Sequence, residues 1–172
     1  MALLTLAAPA SVFVGTPASG ATEAGGVTAT FEGTAINLGD GWGDAQACIA
    51  DASETRCYRT EDELALAESQ TLAAPSAPAA LLTSCSTSVR LYSGTSYTGS
   101  VLYLSTQYYV YNLSNYGFNN ITSSYKVGAC SAYFYDGAGL GAPIYPGSTS
   151  AHSWSSTMAA GWDNRISSVY IT

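Results

Sequence analysis

A chain of 172 residues with 47% hydrophobic and only 10% charged residues is too apolar to be disordered throughout, and its 17 glycines and 13 tyrosines point to turns and short strands, an all-β chain. The net charge of −7 sits at one end: ten of the twelve acids precede position 70, and from Cys85 onward Arg90, Lys126 and Arg165 face only Asp136 and Asp163. With five Lys and Arg in all there is no basic stripe to neutralise phosphates, which excludes nucleic acid as a partner.

Residues 2–14 (ALLTLAAPASVFV) form an apolar stretch too short to span a bilayer, followed by the small residues Ala18, Ser19, Gly20 and Ala21. This predicts an export signal over residues 1–21, hence a secreted, extracellular protein, and no other segment reads as a membrane span. Residues 22–68 are expected to form a small acidic module. VTATFEG and TAINL, within 27–37, read as strands before Gly39, Gly41 and Gly43 break the pattern. ACIA and TRCYRT, at 47–50 and 55–60, flank the turn-forming DASE and predict a hairpin. Thr60 and Glu63 then make a capping box ahead of LALAES, predicting one short acidic helix. Residues 69–84 (SQTLAAPSAPAALLTS) carry two prolines and no charge, the composition of an extended connector to a second domain over 85–172.

The four cysteines, Cys48, Cys57, Cys85 and Cys130, point to disulfides in an exported chain. Three connectivities exist. Pairing Cys48 with Cys57 and Cys85 with Cys130 keeps each bridge inside one of the two parts.

The C-terminal part repeats itself at a period of about 44 residues. RLYSGTSYTGSVLYL followed by VYNLSNYGFNNITSSYKV answers to YFYDGAGLGAPIYP followed by STMAAGWDNRISSVYI. Tyr92 aligns with Tyr135, Gly117 with Gly161, Phe118 with Trp162, Asn119 with Asp163, Asn120 with Asn164, Ser123 with Ser167 and Ser124 with Ser168. Each copy supplies strand, Gly-rich hairpin, strand, turn and strand, with alternation that turns one face inward. Neither copy could bury that face by itself, so two Greek keys packed as a sandwich are predicted, with Phe118 and Trp162 as core anchors.

The paired motifs resemble the βγ-crystallin superfamily. YSGTSYTG, with Tyr92, Tyr97 and Gly99, is similar to the family's folded hairpin, and FNNITSS and WDNRISS are similar to its double calcium-ligand sequence. The second hairpin departs from the pattern, with Leu140 where an aromatic is common. The resemblance implies Ca2+ sites at one end of the sandwich, built reciprocally from the side chains of Asn119, Asn120, Asp163 and Asn164. The hydroxyls of Ser123 and Ser167, the backbone carbonyls of Ile121 and Arg165, and backbone oxygen near Ser93 and Asp136 complete the implied set. Ser124 and Ser168 read as turn and strand-end residues. Few carboxylates in such sites imply weak binding, on the order of 10⁻⁴ to 10⁻³ M. The same Asn, Asp and Ser are also ordinary turn formers, and a plain turn accounts for them too.

A rival reading on the same fold is a secreted inhibitor of metalloproteinases, or a killer-toxin-like protein, as the YGFN and SS motifs also resemble that actinobacterial branch. The inhibitory loop would be residues 141–156 (GAPIYPGSTSAHSWSS), stiffened by Pro143 and Pro146, and the partner an extracellular protease. Catalysis is not expected, since His152 is the one histidine and no triad or metalloprotease motif can be assembled around it. A monomer is expected.

Overall fold

A computed structural model describes residues 25–73 and 84–172. The expected signal over 1–21, and residues 74–83 of the expected connector, lie outside the described residues. None of the described helices is long and apolar enough to cross a membrane.

The two N-terminal strand signals form a hairpin of β1 (Thr28–Phe31) and β2 (Thr34–Asn37), turning through Glu32 and Gly33 at positive φ. The second hairpin pairs β3 (Ala47–Ala50) with β4 (Thr55–Tyr58), and its register sets Cys48 directly opposite Cys57, where the two are bridged. Helix α1 spans Glu61–Ala73. Thr60 Oγ1 accepts from the Glu63 amide at 3.2 Å, and the Glu63 carboxylate reaches back to the Arg59 amide at 3.0 Å, one residue earlier than a standard capping box. The helix takes in residues 69–73 of the expected connector. SQTLA is made of residues that a helix tolerates, and the chain meets its first helix-breaking proline only at Pro75.

The C-terminal strands are β5 (Ser84–Tyr92), β6 (Val101–Thr106), β7 (Val110–Asn112), β8 (Ser124–Lys126), β9 (Ala132–Gly137), β10 (Gly141–Ile144), β11 (Trp154–Ser155) and β12 (Ser168–Ile171). They build the predicted pair of Greek keys, and each repeat lends its third strand to the other. β7 pairs with β12 in a four-stranded sheet ordered β10-β9-β12-β7, while β11 pairs with β8 in the opposing sheet. Leu91, Leu102, Leu104 and Tyr125 of one sheet meet Tyr111, Phe134, Val169 and Ile171 of the other in a shared buried cluster.

The N-terminal strands extend this sandwich. β3 lies parallel to β6, with Cys48 beside Leu102 and Ala50 beside Leu104, so the first sheet runs β11-β8-β5-β6-β3-β4-β1-β2, eight strands in all. The residues of β6 explain the join. Leu102 and Leu104 face the sandwich core, whereas Val101 and Tyr103 face the other way, against Ile49 and Leu64 of α1. A strand apolar on both faces has to lie inside a sheet and be covered on both sides. Both apolar clusters draw residues from the 22–68 stretch as well as from the repeats.

A second contact fixes the loop between β2 and β3 to the first repeat. Trp42 packs on Phe118 with ring centroids 5.4 Å apart and donates its indole N–H to the Tyr116 carbonyl at 2.7 Å. Gly117 makes this possible: at φ +62 a Cβ there would stand 2.3 Å from the Leu38 carbonyl.

Cys85 and Cys130, 45 residues apart, are bridged and tie the start of the first repeat to the start of the second. Closing a loop of that length restricts the unfolded chain, so the double variant Cys85→Ala/Cys130→Ala should lose about 4 kcal/mol. Urea unfolding of the variant beside the oxidised wild type measures this directly, and an unchanged midpoint would contradict it.

Candidate functional site

The two Asn-rich turns meet at one end of the sandwich, related to each other as the repeats are. Gly117 and Gly161 take positive φ at the corner, and Asn120 and Asn164 follow at φ 57 and 56. Asparagine tolerates this left-handed region better than other non-glycine residues, which is the local reason for its place in both copies. The Asn120 amide donates to the Ile166 carbonyl at 3.0 Å and the Asn164 amide to the Thr122 carbonyl at 3.1 Å, so each turn is held by the strand entry of the opposite repeat.

The polar side chains cross over in the same way. Ser123, 5% exposed, donates its hydroxyl to Asn164 Oδ1 at 3.3 Å, and Ser167, 6% exposed, donates to Asn120 Oδ1 at 2.9 Å. The Ser123 amide binds the Tyr92 carbonyl beside Ser93, and the Ser167 amide binds the Tyr135 carbonyl beside Asp136. Two oxygen clusters result. One joins the Tyr92–Ser93 hairpin to Ser123 and Asn164, with the Asp163 carboxylate within 3.4 Å of the Asn164 amide nitrogen. The other joins the Tyr135–Asp136 hairpin to Ser167 and Asn120. Asn119 and Ile121 are exposed on the first turn, with Asp163 and Arg165 at the matching positions of the second.

Ser124 and Ser168 serve the hairpins. Ser124 donates to the Gly94 carbonyl and accepts from the Tyr97 amide, while Ser168 donates to the Gly137 carbonyl and accepts from the Leu140 amide. The two hairpins share one conformation despite their different sequences: Ser96 and Tyr97 have φ 55 and 62, and Gly139 and Leu140 have φ 60 and 69. Leu140 thus adopts the backbone that Tyr97 adopts, with no aromatic ring required.

The clusters differ in charge. The Arg165 guanidinium donates to the Asp136 carboxylate, to the Gly161 carbonyl at 2.9 Å, and lies 5.0 Å from the centre of the Trp162 ring. The cluster at Asp136 therefore carries its own cation. Sequence reading placed Arg165 in the set for its carbonyl and did not foresee this role of the side chain; an Arg two residues after the motif's Asp was the available signal. No group of three or more His, Cys, Asp or Glu that could hold a metal occurs among the described residues. A hard oxygen-seeking cation thus finds amide, hydroxyl, carbonyl and one carboxylate at the Ser123 cluster, a donor chemistry that fits calcium. At the Asp136 cluster the only carboxylate is already neutralised, and the fit is poor.

No family model and no curated protein matches this chain. Solved structures do. A βγ-crystallin from Ciona intestinalis is 23% identical with a TM-score of 0.41, covering 49% of this chain and 98% of its own. A βγ-crystallin domain from Flavobacterium johnsoniae is 24% identical with a TM-score of 0.41, covering 49% of this chain and 92% of its own. A clostrillin double mutant solved in complex with nickel is 22% identical with a TM-score of 0.40, covering 49% of this chain and 95% of its own. The strand pairing described above carries the assignment of the fold, a βγ-crystallin sandwich with a disulfide-stapled N-terminal extension.

Proposed function

We propose that this protein is an exported, non-catalytic βγ-crystallin-type module that binds calcium weakly at the cluster of Ser123, Asp163 and Asn164 and is stabilised by it. The observation that supports this reading is the exchange of Ser and Asn donors between the repeats, because an ion bound there would tie both Greek keys together. Two disulfides suit an oxidising compartment and support export. With a single carboxylate in the donor set, affinity on the order of 10⁻⁴ to 10⁻³ M is expected. Calcium at ten times the dissociation constant would then add about 1.4 kcal/mol of stability.

Calorimetric titration and thermal melts of the full chain test the reading, since the N-terminal strands belong to the same sheet. Calcium should raise the melting temperature saturably, Asp163→Asn should remove the effect, and Arg165→Gln should add a second, weaker site at the other cluster by freeing the Asp136 carboxylate. A melt unchanged by millimolar calcium would sink the proposal.

One observation favours the inhibitor reading as a second possibility. Residues 141–156 are pinned without a local cysteine pair: Thr149 accepts from the Ala132 amide, the Ala151 amide donates to Ser131, and the Tyr125 hydroxyl donates to the Ser148 carbonyl. Ile144, 53% exposed, stands on this rigid stretch as an inhibitory side chain would. Assays against thermolysin-like and subtilisin-like proteases decide it, and no inhibition at micromolar protein would end this reading.

A further inference from the structure

We propose that a pocket at the β8–β11 edge binds a carboxylated sugar ring, the uronic-acid unit of an acidic polysaccharide. The starting point is Lys126. Each of the four arginines lies within 4.0 Å of a carboxylate: Arg56 at Glu54, Arg59 at Glu32, Arg90 at Glu61 and Arg165 at Asp136. Lys126 has no carboxylate partner among the described residues, in a chain whose acids outnumber its bases by twelve to five. Its ammonium lies 4.4 Å from the centre of the Tyr97 ring and 5.3 Å from that of Tyr92. Aromatic faces hold a cation in place without neutralising it. The positive charge is thus positioned and left unspent.

The surroundings of that charge define what it can take. Lys126 lines a pocket of about 450 Å³ with Tyr97, Val127, His152, Ser153 and Trp154, a size within the usual range for small-ligand sites. Trp154 is the register partner of Lys126 across β8 and β11, yet its side chain is 70% exposed, the largest exposure of any large apolar residue described. An indole presented this way beside a cation offers a flat apolar face next to an anion-binding point. His152 and Ser153 add polar atoms to the wall, and their backbone is fixed: the His152 amide donates to the Gly128 carbonyl at 2.8 Å, and the Ser153 amide to the Ser150 carbonyl at 3.0 Å. A ligand met by these groups needs one apolar ring face, a carboxylate and further hydroxyls. A uronate ring has all three, whereas a neutral sugar leaves the ammonium unmatched and a simple aromatic acid leaves the polar wall unmatched. Because Trp154 opens to solvent, neighbouring sugar units can run on past the pocket.

Trigalacturonate titrated into the full chain in the presence of a calcium chelator tests this, with tryptophan fluorescence and calorimetry as readouts. The chelator separates the outcome from the calcium reading. Saturable binding is expected, weakened about tenfold by Lys126→Gln or by methyl esterification of the sugar, kept by Lys126→Arg, and lost in Trp154→Ala. Trp154 is exposed and Lys126 half-buried, so each variant should melt within a few degrees of the wild type, and binding by Lys126→Arg guards against a variant that fails for lack of folding. No binding at millimolar trigalacturonate, equal binding of the methyl ester, equal binding of benzoate, or indifference to Lys126→Gln would each overturn the assignment.

Discussion

Raising the pH past about 10 should unfold the protein cooperatively, because its core is built on tyrosines that can ionise only by leaving it. Tyr92, Tyr103, Tyr111, Tyr116 and Tyr125 are 0–4% exposed. Burial raises all five hydroxyls above the usual tyrosine range, Tyr111 least, and for Tyr92 and Tyr103 the Glu61 carboxylate adds to it by accepting a hydrogen bond from each, at 2.7 and 2.8 Å. A group whose folded pKa is raised contributes its full stability below the unfolded value and loses it as the pH climbs above that value. One unit above an unfolded pKa near 10, each strongly shifted tyrosine costs about 1.4 kcal/mol, and the four of them reach roughly 6 kcal/mol as an upper figure. That is comparable with the whole stability of an ordinary domain. Ultraviolet titration at increasing pH should therefore show these phenols ionising together with the loss of ellipticity. Independent ionisation near pH 10 with the fold intact would mean that they are reachable by water in the native state.

Removing residues 25–73 should have an effect of similar size. The deletion strips Ala47, Ile49 and Leu64 from Tyr92, Val101 and Tyr103, and Leu38 and Trp42 from the neighbourhood of Phe118. Losing the burial of Leu38, Ile49 and Leu64 at about 1.5–3 kcal/mol each comes to roughly 5–9 kcal/mol. It also bares the edge of β6, whose unpaired backbone and apolar outer face invite association. Circular-dichroism melts and gel filtration should show a chain starting at residue 84 that melts without a sharp transition or self-associates. A sharp melt within a few degrees of the full protein would show the extension to be dispensable.

Much of the site was legible because it is local. Asn120 and Asn164 sit at left-handed positions that few other residues accept. Local chemistry of this kind writes itself into spacing. The ion pair of Arg165 with Asp136 was not legible in the same way, since the two are 29 residues apart and meet only once β9 and β12 are paired. Nor was the pocket at Lys126, whose walls come from the first hairpin, β8 and the loop entering β11.

The sequence by itself determined the repeat, the two turn motifs and the start of α1, all of which rest on spacing and on residues with narrow backbone preferences, and it narrowed the cysteine pairing to three connectivities. Tertiary structure decided the neighbours. Alternation along a strand says which side chains share a face but not which strand lies alongside, so the exchange of β7 and β11 between repeats and the parallel docking of β3 on β6 follow from burying both faces of β6 and both sheets at once. The same long-range pairing gave the two halves of a sequence-symmetric site different charge, the Asp163 carboxylate in one cluster and the Arg165–Asp136 ion pair in the other.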